Sequence, residues 1–469
     1  MDIGKWEKTV VIAAVLMLMF AVVLVNLSNS NLPIVGVTIV LFAIFWGIFI
    51  RSLDNLIAFL LIYFVGFETE LMSFSIGKLY LVDILVLFVL ILLFRRVTRN
   101  NLIDVYIYIY LIFFMIIHSL IFGFDKIVAL KAVLPWIRAF IIMTYIYVSF
   151  NERRIKFFYY GLLSFTLLQL VIGLLQIAND GPIGLGILGE SDTVFRSSVS
   201  GFERGMSGTF GHPAMLSYYS LFALGWSLFF PKGISSIVRT ALIAFLSVTI
   251  VLTAARTALL IMVILFVFRW GYNIKYNGQK INTIIIALLT LASITTILLF
   301  AFPSTSGENL ILDRFTKSDI NQQVINRYEH IKYGIELIRQ RPFMGWGTNN
   351  YLSAIQSIYS VDSESDPFIV FFLTNRIHNI FIMFLVDYGL FGGVAFIYIL
   401  IIRHFRHFWR KIKLYNNTPY LGALCGLISY IIYGLQGQGG VTFRGIYILF
   451  INIAFMLYAE HTYKLHRLE

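Results

Sequence analysis

The sequence predicts an all-α polytopic membrane protein of about fourteen transmembrane helices (12–14), and three observations carry that prediction. The 469 residues are 59% hydrophobic with a mean hydropathy of +0.83. Charged residues make up only 13%, against about 25% in an average soluble domain. Apolar runs near the ~20 residues needed to cross a bilayer recur from end to end. A soluble domain of this length has no interior large enough to hide that much apolar surface.

Taken in order, the runs fall at 9–27, 33–50, 54–67, 79–94, 102–122, 130–150, 157–177, 214–230, 235–253, 257–270, 281–302, 377–402, 418–434 and 445–459. The third is short. The first follows Lys5 and Lys8, and Ser28-Asn29-Ser30-Asn31 follows it without a small-x-small cleavage pattern. It is therefore expected to be a retained span rather than a removed signal peptide. Arg95, Arg96 and Arg99, then Arg153, Arg154 and Lys156, then Arg403, Arg406, Arg410, Lys411 and Lys413 all fall on one side if both termini are cytoplasmic. The opposite short loops hold Lys78, Lys126, Arg256 and Arg444. The positive-inside rule places both ends in the cytoplasm. It also accounts for the net charge of +12 without nucleic acid as a partner. The single cysteine, Cys425, excludes an internal disulfide and a cysteine metal cluster.

Two loops exceed tight-turn length, at 178–213 and 303–377, and this orientation puts both outside. Long loops in compact proteins are more often functional than decorative. With no clear repeat or flexible linker, residues 1–469 read as a single membrane domain. Within the larger loop, Tyr328, Ile331, Ile335 and Ile338 recur at helical spacing and Glu329, Lys332, Glu336 and Arg339 take other faces. That predicts an amphipathic helix over 327–341, stopped by Pro342. Gly345 and Gly347 flank Trp346 and predict a tight turn with Trp346 as an interface anchor.

The polar residues crowd this outer side. Arg256, in Thr253-Ala254-Ala255-Arg256-Thr257, sits at a turn between two short spans; such an arginine is paired, functional or snorkelling to lipid phosphates. Arg327 opens the amphipathic helix, where the blander alternative is a solvated charge. Arg376, His378 and Asn379 flank the start of the run at 377–402. Arg204 and His212 precede the run at 214–230, and Arg138 is an intramembrane cation in the run at 130–150. Asp83 and His118 are weaker intramembrane candidates, Asp387 is expected to support a helix contact, and His404 and His407 read as a solvated cytoplasmic face. No Walker A loop, paired-carboxylate metal motif or nucleophile-elbow serine is present. Several arginines at membrane depth suit a lipid-linked phosphate or diphosphate, because the guanidinium fork matches phosphate oxygens. A histidine beside them can take a hydroxyl proton near neutral pH.

At this point the residues resemble a family. A Thr-x-x-Arg turn (Thr253 to Arg256) precedes a long loop that opens Asn326-Arg327-Tyr328-Glu329 and contains Pro342-Phe343-Met344-Gly345-Trp346-Gly347. Arg376-Ile377-His378-Asn379 and Asp387-Tyr388-Gly389 follow. Together they are similar to the bacterial O-antigen ligase and O-antigen or capsule polymerase superfamily, most strongly over residues 200–395. The resemblance implies an inverting membrane glycosyltransferase at the outer face of the cytoplasmic (inner) membrane, needing no metal or cofactor. It implies undecaprenyl-diphosphate-linked glycans as donor and acceptor. It assigns diphosphate binding to Arg256 and Arg327, and to His378 either activation of the acceptor hydroxyl or a hold on the donor. A chain-length regulator and a flippase are possible partners. Polymerase and ligase share these motifs; about fourteen spans lean towards polymerase. A ligase acting on lipid A–core or protein, a lipid-linked oligosaccharide flippase, and a non-catalytic export scaffold stay open as alternatives.

Overall fold

The computed structural model describes residues 53–67, 70–74, 77–179, 181–191, 205–229, 233–277, 320–358, 377–411, 419–435 and 442–465. Its helices are α1 (Leu53–Gly66), α2 (Leu81–Phe94), α3 (Arg99–Phe122), α4 (Lys126–Ser149), α5 (Glu152–Ala178), α6 (Pro213–Leu228) and α7 (Ser236–Leu252). They continue as α8 (Arg256–Asn277), α9 (Ile320–Gln340), α10 (Tyr351–Ile358), α11 (Ile380–Ile397), α12 (Arg403–Lys411), α13 (Pro419–Gly434) and α14 (Phe443–Leu465). Eleven of the expected runs coincide with described helices to within a few residues; those at 9–27, 33–50 and 281–302 lie outside the described residues.

Six described helices are long and apolar enough to cross a membrane: Ile103–Phe122, Lys126–Ser149, Glu152–Ala178, Arg256–Lys275, Ile380–His407 and Phe443–His461. The protein is a multi-pass membrane protein. Among the described residues one departure from all-helical structure precedes α2: Glu70–Phe74 (β1) and Gly77–Tyr80 (β2) pair as an antiparallel hairpin, with an irregularity between Glu70 and Met72. Hydropathy does not separate a short hairpin from the end of an apolar helix, so the run expected at 79–94 starts as strand.

The chain divides into two compact units, one from Met1–Leu85 and Ser149–Ser318, the other from Val86–Val148 and Asp319–Glu469. In the first, α1 lies against α5 at glycine contacts. A Cβ added at Gly161 would stand 2.1 Å from the Phe59 carbonyl oxygen, and one at Gly66 2.1 Å from the Phe165 ring. Tyr63 donates to Ser164 Oγ at 2.6 Å across this contact, and Arg154 holds Asp54 at 2.9 Å. Asn151 caps α5 by accepting from the Arg154 amide.

In the second unit α11 is not one continuous helix. Gly389 (φ 67°, ψ −174°) interrupts it, which frees the carbonyls of Val386 and Asp387 and the amide of Leu390 from the helical ladder. The segment after α9 takes up all three. Trp346 N–H donates to Val386 O at 2.9 Å, Gly347 N–H to Asp387 O at 2.8 Å, and Leu390 N–H to Pro342 O at 2.8 Å. Unpaired main-chain groups at membrane depth are costly, so a break is tolerated only where such partners exist. Only glycine permits the approach: a Cβ at Gly389 would stand 2.2 Å from Phe343 O, and one at Gly345 2.5 Å from Gly389 N. The Pro342–Gly347 and Asp387–Gly389 motifs are two halves of one junction. Beyond the break α11 runs through a π-helical turn, Tyr398–Ile402, into α12.

Candidate functional site

The junction fixes the end of α9, and α9 carries the polar residues. The helix begins at Ile320, seven residues before the expected start. His330 and Leu337 are each 1% exposed and Gly334 is buried between them. Tyr328 and Ile335, two of the four apolar positions at helical spacing, are 65% and 41% exposed. The reason is packing: a Cβ at Gly334 would come within 2.5 Å of Ile382 Cγ2 and 3.0 Å of Ile377 Cδ1. Gly334 is the position where α9 and the start of α11 can touch. Hydrophobic spacing marks apolar residues and misses a glycine that turns a helix towards its partner.

Trp346 is likewise buried, not an interface anchor. It packs with Leu337, Tyr351, Ala354, Ile355, Ile377 and Val386. Its indole N–H donates to the Leu337 carbonyl at 2.9 Å, and Arg341 lies 4.2 Å from its ring. Satisfying that N–H inside removes the need for a wet membrane interface. Asp387 supports this turn: its carboxylate accepts from the amide of Asn349, a residue with φ 58°. His118 Nε2–H donates to Met344 O at 2.5 Å, and Thr348 shares hydroxyl bonds with Ser119 and Tyr388, both at 3.0 Å. Phe124 N–H donates to Trp346 O at 2.9 Å. The segment 342–350 is therefore tied to α3, to the α3–α4 turn and to α11.

Close packing at Gly334 brings His330 against His378. Their ring centroids are 4.8 Å apart, with planes tilted by 58°. His378 lies half-buried just ahead of α11. Asn379 caps that helix by accepting from the amides of Phe381 and Ile382 at 3.0 and 3.1 Å. Asn379 Nδ2 also donates to Leu435 O at 3.4 Å, which ties the cap to the end of α13. Burial, and then the neighbouring His378, push the His330 imidazole down to about 3 from its usual value near 6.5. His330 stays neutral at physiological pH. Sequence reasoning missed it, and the one available signal was its place three residues after Arg327.

Arg327 falls on α9, one turn before His330. Arg376, directly before Ile377, lies outside the described residues, as does Arg204. Arg138, on α4, lies over the Phe443 ring at 5.9 Å, at the start of α14. His404 is not a solvated residue. It is 2% exposed and bonded through Nε2 to the Tyr108 hydroxyl at 2.9 Å, and His407 pairs with Glu460 at 3.3 Å. These are interhelical contacts rather than a wet face.

In the first unit Arg256 stands at the first position of α8, half-buried, after a turn in which Ala254 takes φ 51°. An arginine there adds its charge to the positive end of the helix dipole instead of offsetting it, which favours an anion at that spot. The turn is tightly built. Thr253 donates to Ile250 O at 2.7 Å, and Met206 N–H donates to Leu252 O at 3.1 Å. Gly205 sits so close that a Cβ there would lie 2.4 Å from Thr253 O and 3.2 Å from Pro213 Cβ. His212 is next to Pro213 and caps α6 by accepting from the Ala214 amide through Nδ1 at 3.0 Å. One corner of this unit thus gathers the Arg256 turn and the His212–Pro213 cap. Among the described residues no three His, Cys, Asp or Glu side chains converge as metal ligands would.

Residues 241–397, from α7 into α11, match the family model described as O-antigen ligase. That range contains Arg256, Arg327, His378 and the whole glycine junction. No curated protein matches the chain.

Proposed function

We infer, for a chain whose residues 241–397 match the family model described as O-antigen ligase, that it polymerises undecaprenyl-diphosphate-linked oligosaccharide units by inverting glycosyl transfer. The observation that carries the reading is His378, half-buried at the mouth of the spanning helix α11 beside the α9 segment that bears Arg327. A half-buried imidazole suits a group that must meet substrate on one side and be held on the other.

In this mechanism the acceptor sugar hydroxyl attacks the anomeric carbon of the donor glycan. The bond from that carbon to the diphosphate oxygen breaks, the configuration inverts, and the undecaprenyl diphosphate departs with the electron pair. His378 takes the hydroxyl proton or orients the hydroxyl. Arg256 and Arg327, with Arg376 assisting, offset the charge that gathers on the leaving group. The distribution of Lys and Arg supports two long loops on the outer side, and the family resemblance implies the outer face of the cytoplasmic membrane for the reaction. About fourteen apolar runs support a polymerase, whose acceptor is a second lipid-linked unit. The description of the matched family favours the second reading, a ligase that passes the glycan to lipid A–core.

Purified protein in nanodiscs, given a lipid-linked oligosaccharide from its own host, tests both. A ladder of longer glycans from that single substrate, lost in His378→Ala, Arg256→Ala and Arg327→Ala with folding intact, is the expected result. Transfer only after lipid A–core is added establishes the ligase. No transfer to any acceptor, with passage of the oligosaccharide across the bilayer, refutes the enzyme.

A further inference from the structure

A buried aromatic ring stands directly against the residue that carries the chemistry. His330 is 1% exposed and its ring is 4.8 Å from that of His378. The two rings come from different elements. His330 sits on the inward stripe of α9 with Gly334 and Leu337, and His378 sits one residue ahead of the Asn379 cap of α11. Both supports are rigid. Gly334 seats α9 on Ile377 and Ile382, the residues either side of the cap. Asn379 holds the first turn of α11 through two amides. Residue 378 is itself outside the helix, in a bend, so its side chain is not held by a helical backbone.

We propose that His330 is a positioning residue for His378: its ring backs the His378 imidazole from the protein side and restricts the orientations that ring can take. The inference rests on the glycosyl-transfer reading for its consequence in catalysis, and on ring packing alone for its structural content. The role assigned to His330 is this ring contact and not proton transfer. Its neutral state, held by burial, lets the pair stand in contact without charge repulsion.

Two ion pairs of α9 and one carboxylate of α11 are described near this contact. Lys332 bonds Glu329 at 3.5 Å and Arg339 lies 3.8 Å from Glu336, both pairs among the more exposed positions of α9. Asp387 of α11 is occupied by the Asn349 amide.

Two measurements on the full-length protein in nanodiscs decide the proposal. In the glycan-transfer assay, His330→Ala should lower kcat by about 100-fold, the scale of a misplaced catalytic group, with KM little changed. His330→Phe, which keeps a neutral ring, should restore most of it. Adding His330→Ala to His378→Ala should cost nothing further, since a residue that acts through another is silent once that other is gone. Equal losses in the two backgrounds, or an inactive Phe variant with unchanged melting temperature, overturn the proposal.

The second readout needs no activity. The rate at which diethyl pyrocarbonate modifies His378, followed by mass spectrometry, should rise several-fold in His330→Ala and stay near wild type in His330→Phe. If wild type transfers no glycan, the function fails and this rate still decides the pairing. An unchanged rate in His330→Ala refutes it.

Discussion

Gly345→Ala puts one methyl group into the junction that closes the break in α11, and its cost can be worked from the backbone. The methyl carbon would lie 2.5 Å from Gly389 N and 2.6 Å from both the Asp387 and Val386 carbonyl oxygens. All three are main-chain atoms, so no side-chain rotation relieves the overlap. The residue also holds φ 67°, which costs an L-residue about 1–2 kcal/mol. Moving the segment away gives up the bonds from Trp346 to Val386, from Gly347 to Asp387 and from Leu390 to Pro342. At about 1 kcal/mol net each, those three bring the total to about 4–5 kcal/mol. Since 1.4 kcal/mol is tenfold, the closed junction should lose a factor of about 1000 against the open one. Hydrogen exchange on peptides covering 342–350 and 384–392 reads that ratio directly, and protection should fall in both peptides together. The control is Gly271→Ala on α8, where an added Cβ meets nothing within 4 Å. It should leave the junction untouched and gain up to about 1 kcal/mol of helix propensity. Wild-type protection in Gly345→Ala would refute the claim that these motifs close the helix break.

Three further outcomes follow from the same contacts. His330 is held neutral in the folded protein, from an ordinary value near 6.5 down to about 3. Below pH 6.5 an undocked α9 takes up a proton that the docked helix refuses, so docking weakens from pH 6.5 towards 3 by up to about 1.4 kcal/mol per pH unit; exchange in α9 should rise on acidification, and His330→Phe should flatten the dependence. Trp346→Phe removes the donor to the Leu337 carbonyl, at a cost of about 1–3 kcal/mol, read as faster exchange at the C-terminal end of α9. Gly161→Ala drives a methyl into the Phe59 carbonyl at 2.1 Å, and should lower the thermal midpoint in detergent sharply, by separating α1 from α5.

Composition and periodicity determined that this chain is built of apolar helices, and roughly where each of the described ones lies. That much follows from local chemistry: a run such as 157–177 has no polar face to present to water, so it must be helical and surrounded by lipid or protein. Arg256, Arg327, His378 and the glycine-tryptophan turn stood out through the family resemblance they carry. What a single strand of sequence does not contain is which groups meet. The Pro342–Gly347 turn and Asp387–Gly389 read as two separate features, one a turn and one a helix. They are joined because a helix broken at Gly389 leaves main-chain groups that only a second segment can satisfy. The packing face of α9 was undecided for a related reason: apolar spacing marked Tyr328 and Ile335, which stay exposed, while the absence of a side chain at Gly334 set the contact with α11. That contact carries His330 to His378, so the partner of the candidate base was decided by packing between distant segments and not by any pattern along the chain.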